Sequence, residues 1–263
     1  MKLKATKKEK ENKIKARSKK ADDKQKTILE MLKSHGAKIY DDLDNGQFPK
    51  FSIPSRSVSN IVYDKQLRQY ILGNNAALRS SRNSAQLRSF IVDLEAVTSR
   101  AREDFHIFPE ERSSIFGDLN IEYTIPGYEG KTMNLANHPD GYSIGPSLTT
   151  AELVDTSAEI VIAIEKGGLF TRFVEEQVDK KFKSIIINTG GQAPRSTRTL
   201  LKRLHDEMKL PVICLTDGDV YGEHIAMVIK SGSANAAHLR ELTVPDAKWV
   251  GVWATDIEKY KLP

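Results

Sequence analysis

The sequence predicts an α/β protein with a parallel sheet covered by helices on both faces, preceded by a smaller helix-and-hairpin module. Three observations lead there. From about residue 158 onward, short apolar runs alternate with amphipathic segments at regular spacing. Ahead of that stretch, helical periodicity gives way to paired β-branched runs joined by turn residues. The first 26 residues are dominated by charged side chains and hold few large apolar ones. Strands alternating with helices denote a parallel sheet buried on both faces, whereas helices followed by a β-ribbon suggest an α+β unit.

Taken in order, residues 1–26 carry twelve Lys or Arg and four acids, a net +8, while the whole chain is +5. Residues 27–263 are therefore −3, and the basic character belongs to the leading segment alone. With so little to pack, 1–26 is expected to be a disordered basic tail or a lone frayed helix. Such a tail can hold nucleic acid loosely by counterion release, and a merely solvated tail is an equal alternative. A helix over 27–36 follows, with Ile28, Leu29 and Leu32 on one face and Gly36 as its stop signal. Residues 59–63 and 69–72 flank a polar turn and read as a hairpin. Residues 83–94 and the run IVDLEAVTSRAREDFHIF are helical in period, and 114–125 with 131–135 make a strand pair around PGYEG. Helices followed by a β-ribbon predict a winged-helix-like DNA-binding module over 27–145.

The second part, 146–263, is regular. Strands are expected at 159–164, 183–187, 211–216 and 249–253, with helices at 169–178, 196–208 and 222–230 between them. Hydrophobic residues make up 39% of the chain and charged residues 29%, an ordinary soluble composition, and no apolar run approaches the roughly 20 residues a membrane helix needs. The single cysteine, Cys214, lies in the apolar run PVICL, which excludes an internal disulfide and a cysteine-rich zinc site and implies a reducing compartment.

Ligands of parallel α/β sheets bind beyond the carboxyl ends of the strands. Glu165 directly follows VIAI, and Asp217-Gly218-Asp219 directly follows VICLT. Carboxylates converging without basic neighbours repel one another unless a cation fills the gap, and hard oxygen donors favour Mg²⁺. A lone acid after a strand is often only a helix N-cap, but three acids at two strand ends favour the metal reading. Arg195, Arg198 and Lys202 open the helix after GGQAP, where they either touch DNA phosphate or form a solvated face. Arg100 and Arg102 lie on a helix that would face DNA in the winged-helix reading. His224 reads as a helix residue near the site and not a ligand.

EKGGLF after a strand, then IINTGGQAPRSTRTLLKRL, then LPVICLTDGDVYGEHI, resemble the Toprim domain of the A subunits of type IIB topoisomerases (DNA topoisomerase VI). That family is related to the meiotic double-strand-break proteins. IPSRSVSNIVYD, IVDLEAVTSRAREDFHIF and TVPDAKWVGVWATDIEKYKLP extend the resemblance over nearly everything after the tail. It implies a Toprim-type domain over 146–263, with Mg²⁺ on Glu165 and Asp217 and with Asp219 as the second acid of the site. It also implies ATP-dependent passage of one duplex through a transient double-strand break in another, relaxing supercoiled DNA. Two A subunits would cleave as a homodimer within an A2B2 heterotetramer in the cytoplasm, associated with the nucleoid. ATP would be bound by the B subunit; GGLFTRF and TGGQAPRS both lack the spacing of a phosphate-cradling P-loop, in agreement with that division.

Type II cleavage needs a nucleophile that stays attached to DNA, and the family uses a tyrosine presented in a pattern of Arg followed shortly by paired tyrosines. None of the eight tyrosines stands in that pattern, so no catalytic tyrosine is assigned. The tyrosine-bearing stretch belongs between SAQLRSF and IVDLEAV, where Phe90 joins Ile91 directly and several tens of family residues are missing. The winged-helix-like module is accordingly truncated at 90/91. Two alternatives follow: a non-cleaving Toprim DNA-binding protein, and a Toprim nuclease, which needs metal but no tyrosine.

Overall fold

The computed structural model describes residues 7–47, 50–55, 57–80, 94–95, 98, 100, 102–105, 107–108, 111–233 and 242–261. The Phe90–Ile91 junction and the helix expected over 83–94, save its last residue, lie outside them. Two compact units are present, one of 1–60 with 72–108 and one of 61–71 with 109–263.

The first unit contains helix α1 (Lys7–Asp44) and an antiparallel pair of strands, β1 (Lys50–Pro54) and β4 (Ala76–Ser80), in register Lys50↔Ser80. Of the two expectations for the leading segment the helical one holds from Lys7 onward, as the first half of α1 and not a separate helix, and the short helix expected to stop at Gly36 runs on to Asp44. Lys, Glu, Ala and Gln are strong helix formers, and one interior glycine costs only about 1 kcal/mol, too little to end a helix they dominate. Ile28 is the buried hydrophobic side chain of α1 among the described residues. Asn60 is buried and staples the loop, donating Nδ2–H to the carbonyls of Ser55 (2.6 Å) and Asn75 (2.9 Å).

In the second unit the expected hairpin forms from β2 (Ile61–Asp64) and β3 (Gln69–Leu72), with Tyr63 and Tyr70 edge to face. Its main sheet has six strands in the order β13-β12-β10-β11-β5-β8. Four are mutually parallel: β10 (Ile160–Ile164), β11 (Ser184–Asn188), β12 (Val212–Leu215) and β13 (Lys248–Gly251). The other two, β5 (Ser114–Phe116) and β8 (Tyr142–Ser143), are antiparallel to their neighbours, so the sheet is mixed and not purely parallel. The strand expected over 114–125 breaks at Gly117, whose φ of 137° is open to glycine and where a Cβ would come 2.9 Å from the Ser184 carbonyl. Beyond that bend β6 (Leu119–Glu122) leaves the main sheet and pairs with β7 (Thr132–Asn134) and β9 (Glu152–Thr156). The boundary expected at 145/146 lies within the 109–263 stretch of this unit.

Alternate residues of the parallel strands face opposite ways, as a doubly covered sheet requires. On one face Val161, Ala163, Ile185, Ile187, Val212 and Cys214 pack with Leu200, Leu201 and Leu204 of α5 (Arg195–Met208) and with Ala226 and Ile229 of α6 (Val220–Ser231). On the other, Ile162, Ile164 and Ile186 meet Phe170 and Phe173 of α3 (Gly167–Glu175) and Val178 of the short α4 (Val178–Lys181). A short α2 (Pro146–Thr150) precedes β9, and α7 (Ala254–Tyr260) follows β13. Among the described residues no helix is long and apolar enough to cross a membrane.

Candidate metal centre

The chain leaves β10 by α3 on one face and reaches β11; it returns by α5 on the other face and enters β12 on the far side of β10. Neighbouring strands β10 and β12 therefore send their connections to opposite faces, and a crevice opens between their carboxyl ends. Glu165 directly follows β10 and Asp217 lies two residues past β12, so the topology delivers both acids to that crevice. Glu165 donates its backbone N–H to the Leu215 carbonyl (3.2 Å), and its carboxylate Oε2 accepts from the Asp217 backbone N–H (3.0 Å). This last bond fixes the Glu165 side chain against the Asp217 loop, with both residues half-buried.

Asp219 is exposed and caps α6, its Oδ1 accepting from the Gly222 N–H at 2.7 Å. The helix-cap role considered for a lone acid is real for this one, and among the described residues it leaves the second oxygen uncommitted. Gly222 is a site residue that the sequence reading missed. A Cβ there would lie 2.1 Å from the Asp217 carbonyl oxygen, so only glycine lets the first turn of α6 close on the Asp217 loop. A glycine three residues past a helix-capping acid was the available signal.

The acids do not converge without basic neighbours, as the sequence suggested. Lys166, the N-cap residue of α3, places Nζ 2.6 Å from Asp217 Oδ2. Asp217, by hydrogen bond and charge, raises the Lys166 ammonium above the ordinary lysine value, and Glu165 and Asp219 add to the effect. Among the described residues no group of three or more His, Cys, Asp or Glu side chains is gathered tightly enough to hold an ion as it stands. The donor chemistry nevertheless fits a hard divalent cation: oxygen ligands reach one crevice from two strand ends, and a cation, the Lys166 ammonium, already stands among them.

The basic residues fare unequally. Lys202 pairs with Asp206 (3.0 Å) along its own helix, and Arg203 forks onto Glu207 while donating to the Thr149 and Ala151 carbonyls. Arg195 is half-buried at the start of α5. Arg198, one turn on, is only 6% exposed and has no ion pair among the described residues, which overturns the solvated-face alternative for it. Burial and the nearby Arg195 push its guanidinium down to about 10, so it remains charged at neutral pH. In the first unit Arg100 is half-buried outside any helix, and Arg102 opens a single 3-10 turn, Arg102–Phe105, paired with Glu103 (3.3 Å). Its backbone N–H donates to Glu95 Oε1. His224 is exposed on α6. Tyr123 donates to or accepts from Tyr142 at 3.1 Å; burial first, then Tyr142, pushes its phenol up to about 12, away from the range of a nucleophile.

Acids at the switch point of this sheet define an α/β protein with an acidic crevice at its strand ends. A family model, the Toprim domain shared by Spo11 and the A subunit of topoisomerase 6, matches residues 160–263. The A subunit of type 2 DNA topoisomerase 6 from Methanothermobacter thermautotrophicus is 37% identical, with 89% of this chain and 79% of that one covered. Its counterparts in Haloarcula marismortui (32%; 89% and 77%) and Archaeoglobus fulgidus (33%; 86% and 76%) are similar over the same extent. The chain belongs to the family of topoisomerase 6 A subunits. The first of these alignments runs over 284 positions, yet 89% of 263 residues is about 234, so about 50 positions of that relative have no counterpart here.

Proposed function

We propose that this chain is the A subunit of an ATP-dependent type IIB DNA topoisomerase, making and resealing a transient double-strand break through which a second duplex passes. Supercoiled DNA is relaxed in the process, with ATP bound and hydrolysed by a B subunit in an A2B2 assembly whose A subunits form a homodimer. The observation that carries the reading is the meeting of Glu165 with the Asp217 loop at the β10/β12 switch point, in a chain whose relatives are topoisomerase A subunits. Glu165 and Asp217 hold Mg²⁺, and the uncommitted oxygen of Asp219 supports them. When bound, the ion supplies the charge that stabilises developing negative charge on a phosphodiester. The chain's own part is to fix those oxygens: strand ends set their spacing, the Asp217 N–H orients Glu165, and Gly222 lets α6 close beneath them.

DNA is held along the first unit, which we read as a truncated winged-helix-like module with Arg100 and Arg102 near the duplex. The basic residues of the N-terminal segment add a salt-sensitive, sequence-independent contact. Arg195, at the start of α5, contributes a phosphate contact, and the buried Arg198 one turn on supports it. The protein works where the chromosome lies, in the cytoplasm and associated with the nucleoid.

A second reading, a Toprim protein that binds DNA without cutting it, is favoured by the missing family positions and by the lack of a tyrosine in the family pattern. The full chain, mixed with a B subunit, Mg²⁺, ATP and end-labelled duplex and then denatured, separates the readings. The topoisomerase reading expects a tyrosine-linked protein–DNA adduct. A mobility shift without cleavage supports the non-cleaving reading, and nicking without an adduct indicates a nuclease.

A further inference from the structure

The residue that stands between the acids carries an inference of its own, which rests on the metal reading above. Lys166 is the immediate chain neighbour of Glu165, and its Nζ lies 2.6 Å from Asp217 Oδ2. Its side chain is 65% exposed and that of Asp217 37%, so the pair sits at the mouth of the crevice with solvent on one side. Lys166 has extended backbone angles (φ −102°, ψ 132°) and precedes two glycines, so neither helix packing nor a neighbouring Cβ fixes its stem. The contact is therefore one that an incoming cation can break at small cost, since exposed ion pairs are weak. Asp217 Oδ2 cannot give the same lone pair to an ammonium and to a metal ion.

We infer that Lys166 is the exchangeable counter-ion of the acidic crevice: it holds Asp217 in the metal-free protein, is displaced when a divalent cation binds, and is then free to anchor a DNA phosphate beside the metal. An ammonium on a four-carbon stem is suited to that exchange because it is a compact point charge with rotatable donors. The two states also keep the crevice from ever presenting three unopposed carboxylates.

The test uses the intact chain with Mn²⁺ as the probe, followed by electron paramagnetic resonance, and compares the wild type with Lys166→Gln and Lys166→Arg. Without DNA, K166Q should bind Mn²⁺ about two- to fivefold more tightly, because the competing cation is gone, while K166R stays near the wild type. A short duplex then reads the second half. With saturating Mn²⁺ the salt dependence of K166Q binding should be shallower than that of the wild type by about one unit of log–log slope, and in chelator the two slopes should agree. Equal or weaker Mn²⁺ binding by K166Q overturns the exchange, and equal slopes with Mn²⁺ overturn the phosphate role. Glu165→Gln with Asp217→Asn serves as the control. If wild-type Mn²⁺ binding survives that double change, the metal reading itself has failed, a result distinct from failure of the Lys166 inference.

Discussion

The carboxyl edge of the main sheet carries two charged regions of opposite design. Between β10 and β12, three acids are half-buried or exposed and each has a partner: the Asp217 N–H for Glu165, Lys166 for Asp217, and the Gly222 N–H for Asp219. At the start of α5, Arg198 is buried without an opposing charge among the described residues. Charges left near water beside replaceable partners can exchange them for a ligand, which a binding site needs. A buried charge cannot, and unless something compensates it the desolvation penalty stands as a cost to the fold. On the metal reading the acidic crevice is suited to exchange, while Arg198 is held inside the fold one turn after Arg195.

The largest expected effect tests the crevice. E165Q and D217N should each lower DNA cleavage by roughly 100-fold or more, as loss of one preorganised electrostatic group does elsewhere. Their unfolding free energies from urea titration should stay within about 0.5 kcal/mol of the wild type, because neither side chain is deep in the core. A large loss of stability would mean the acids are structural and the contrast false. Arg198 should behave in the opposite sense. R198A leaves a cavity and should lose about 2–4 kcal/mol, while R198M, which keeps the apolar stem, should be neutral or stabilising in the same urea titration. If R198M is as damaging as R198A, the guanidinium has an essential polar partner.

Asp219 sharpens the comparison because it belongs to both worlds. D219A should lose about 1 kcal/mol of stability with the cap, whereas D219N keeps the cap and should lose a few tenths at most, so a cleavage defect in D219N reports the site alone. The smallest effect concerns the strand beneath. Burial pushes the Cys214 thiol up from near 9 to about 12, so the folded protein should be inert to thiol reagents at pH 8 and react only on unfolding. Because the native state holds that proton more tightly, the contribution is full below pH 9 and is lost as pH rises toward 12. C214A should remove that alkaline loss from the pH profile of unfolding.

The alternation from β10 to β13 was legible in the sequence to within a few residues, because β10, β11 and β12 are apolar runs covered on both faces, the edge strand β13 keeps a short apolar core, and each helix keeps its own period. Glu165 and the Asp217–Asp219 pair were legible for the same reason: strand ends set their places. What escaped depends on contacts distant in sequence. The bend at Gly117 sends β5 against β11, some 70 residues later, and no local pattern in 114–125 distinguishes that from one long strand. The Lys166–Asp217 pair joins residues 51 positions apart, and the burial of Arg198 is set by what covers α5 and not by its own turn. Helix α1 passes Gly36 because propensity summed over many residues outweighs a single stop signal.

The central claim is that Glu165 and the Asp217 loop form one divalent-cation site at the β10/β12 switch point. Its most direct test loads the protein with Fe²⁺ in place of Mg²⁺, adds ascorbate and peroxide, and maps where the radicals cut the backbone. Cuts clustered near residues 165 and 217–219, suppressed by excess Mg²⁺ and absent from the E165Q/D217N double variant, are the predicted result. Cuts clustered elsewhere, or a pattern unchanged in the double variant, would contradict it.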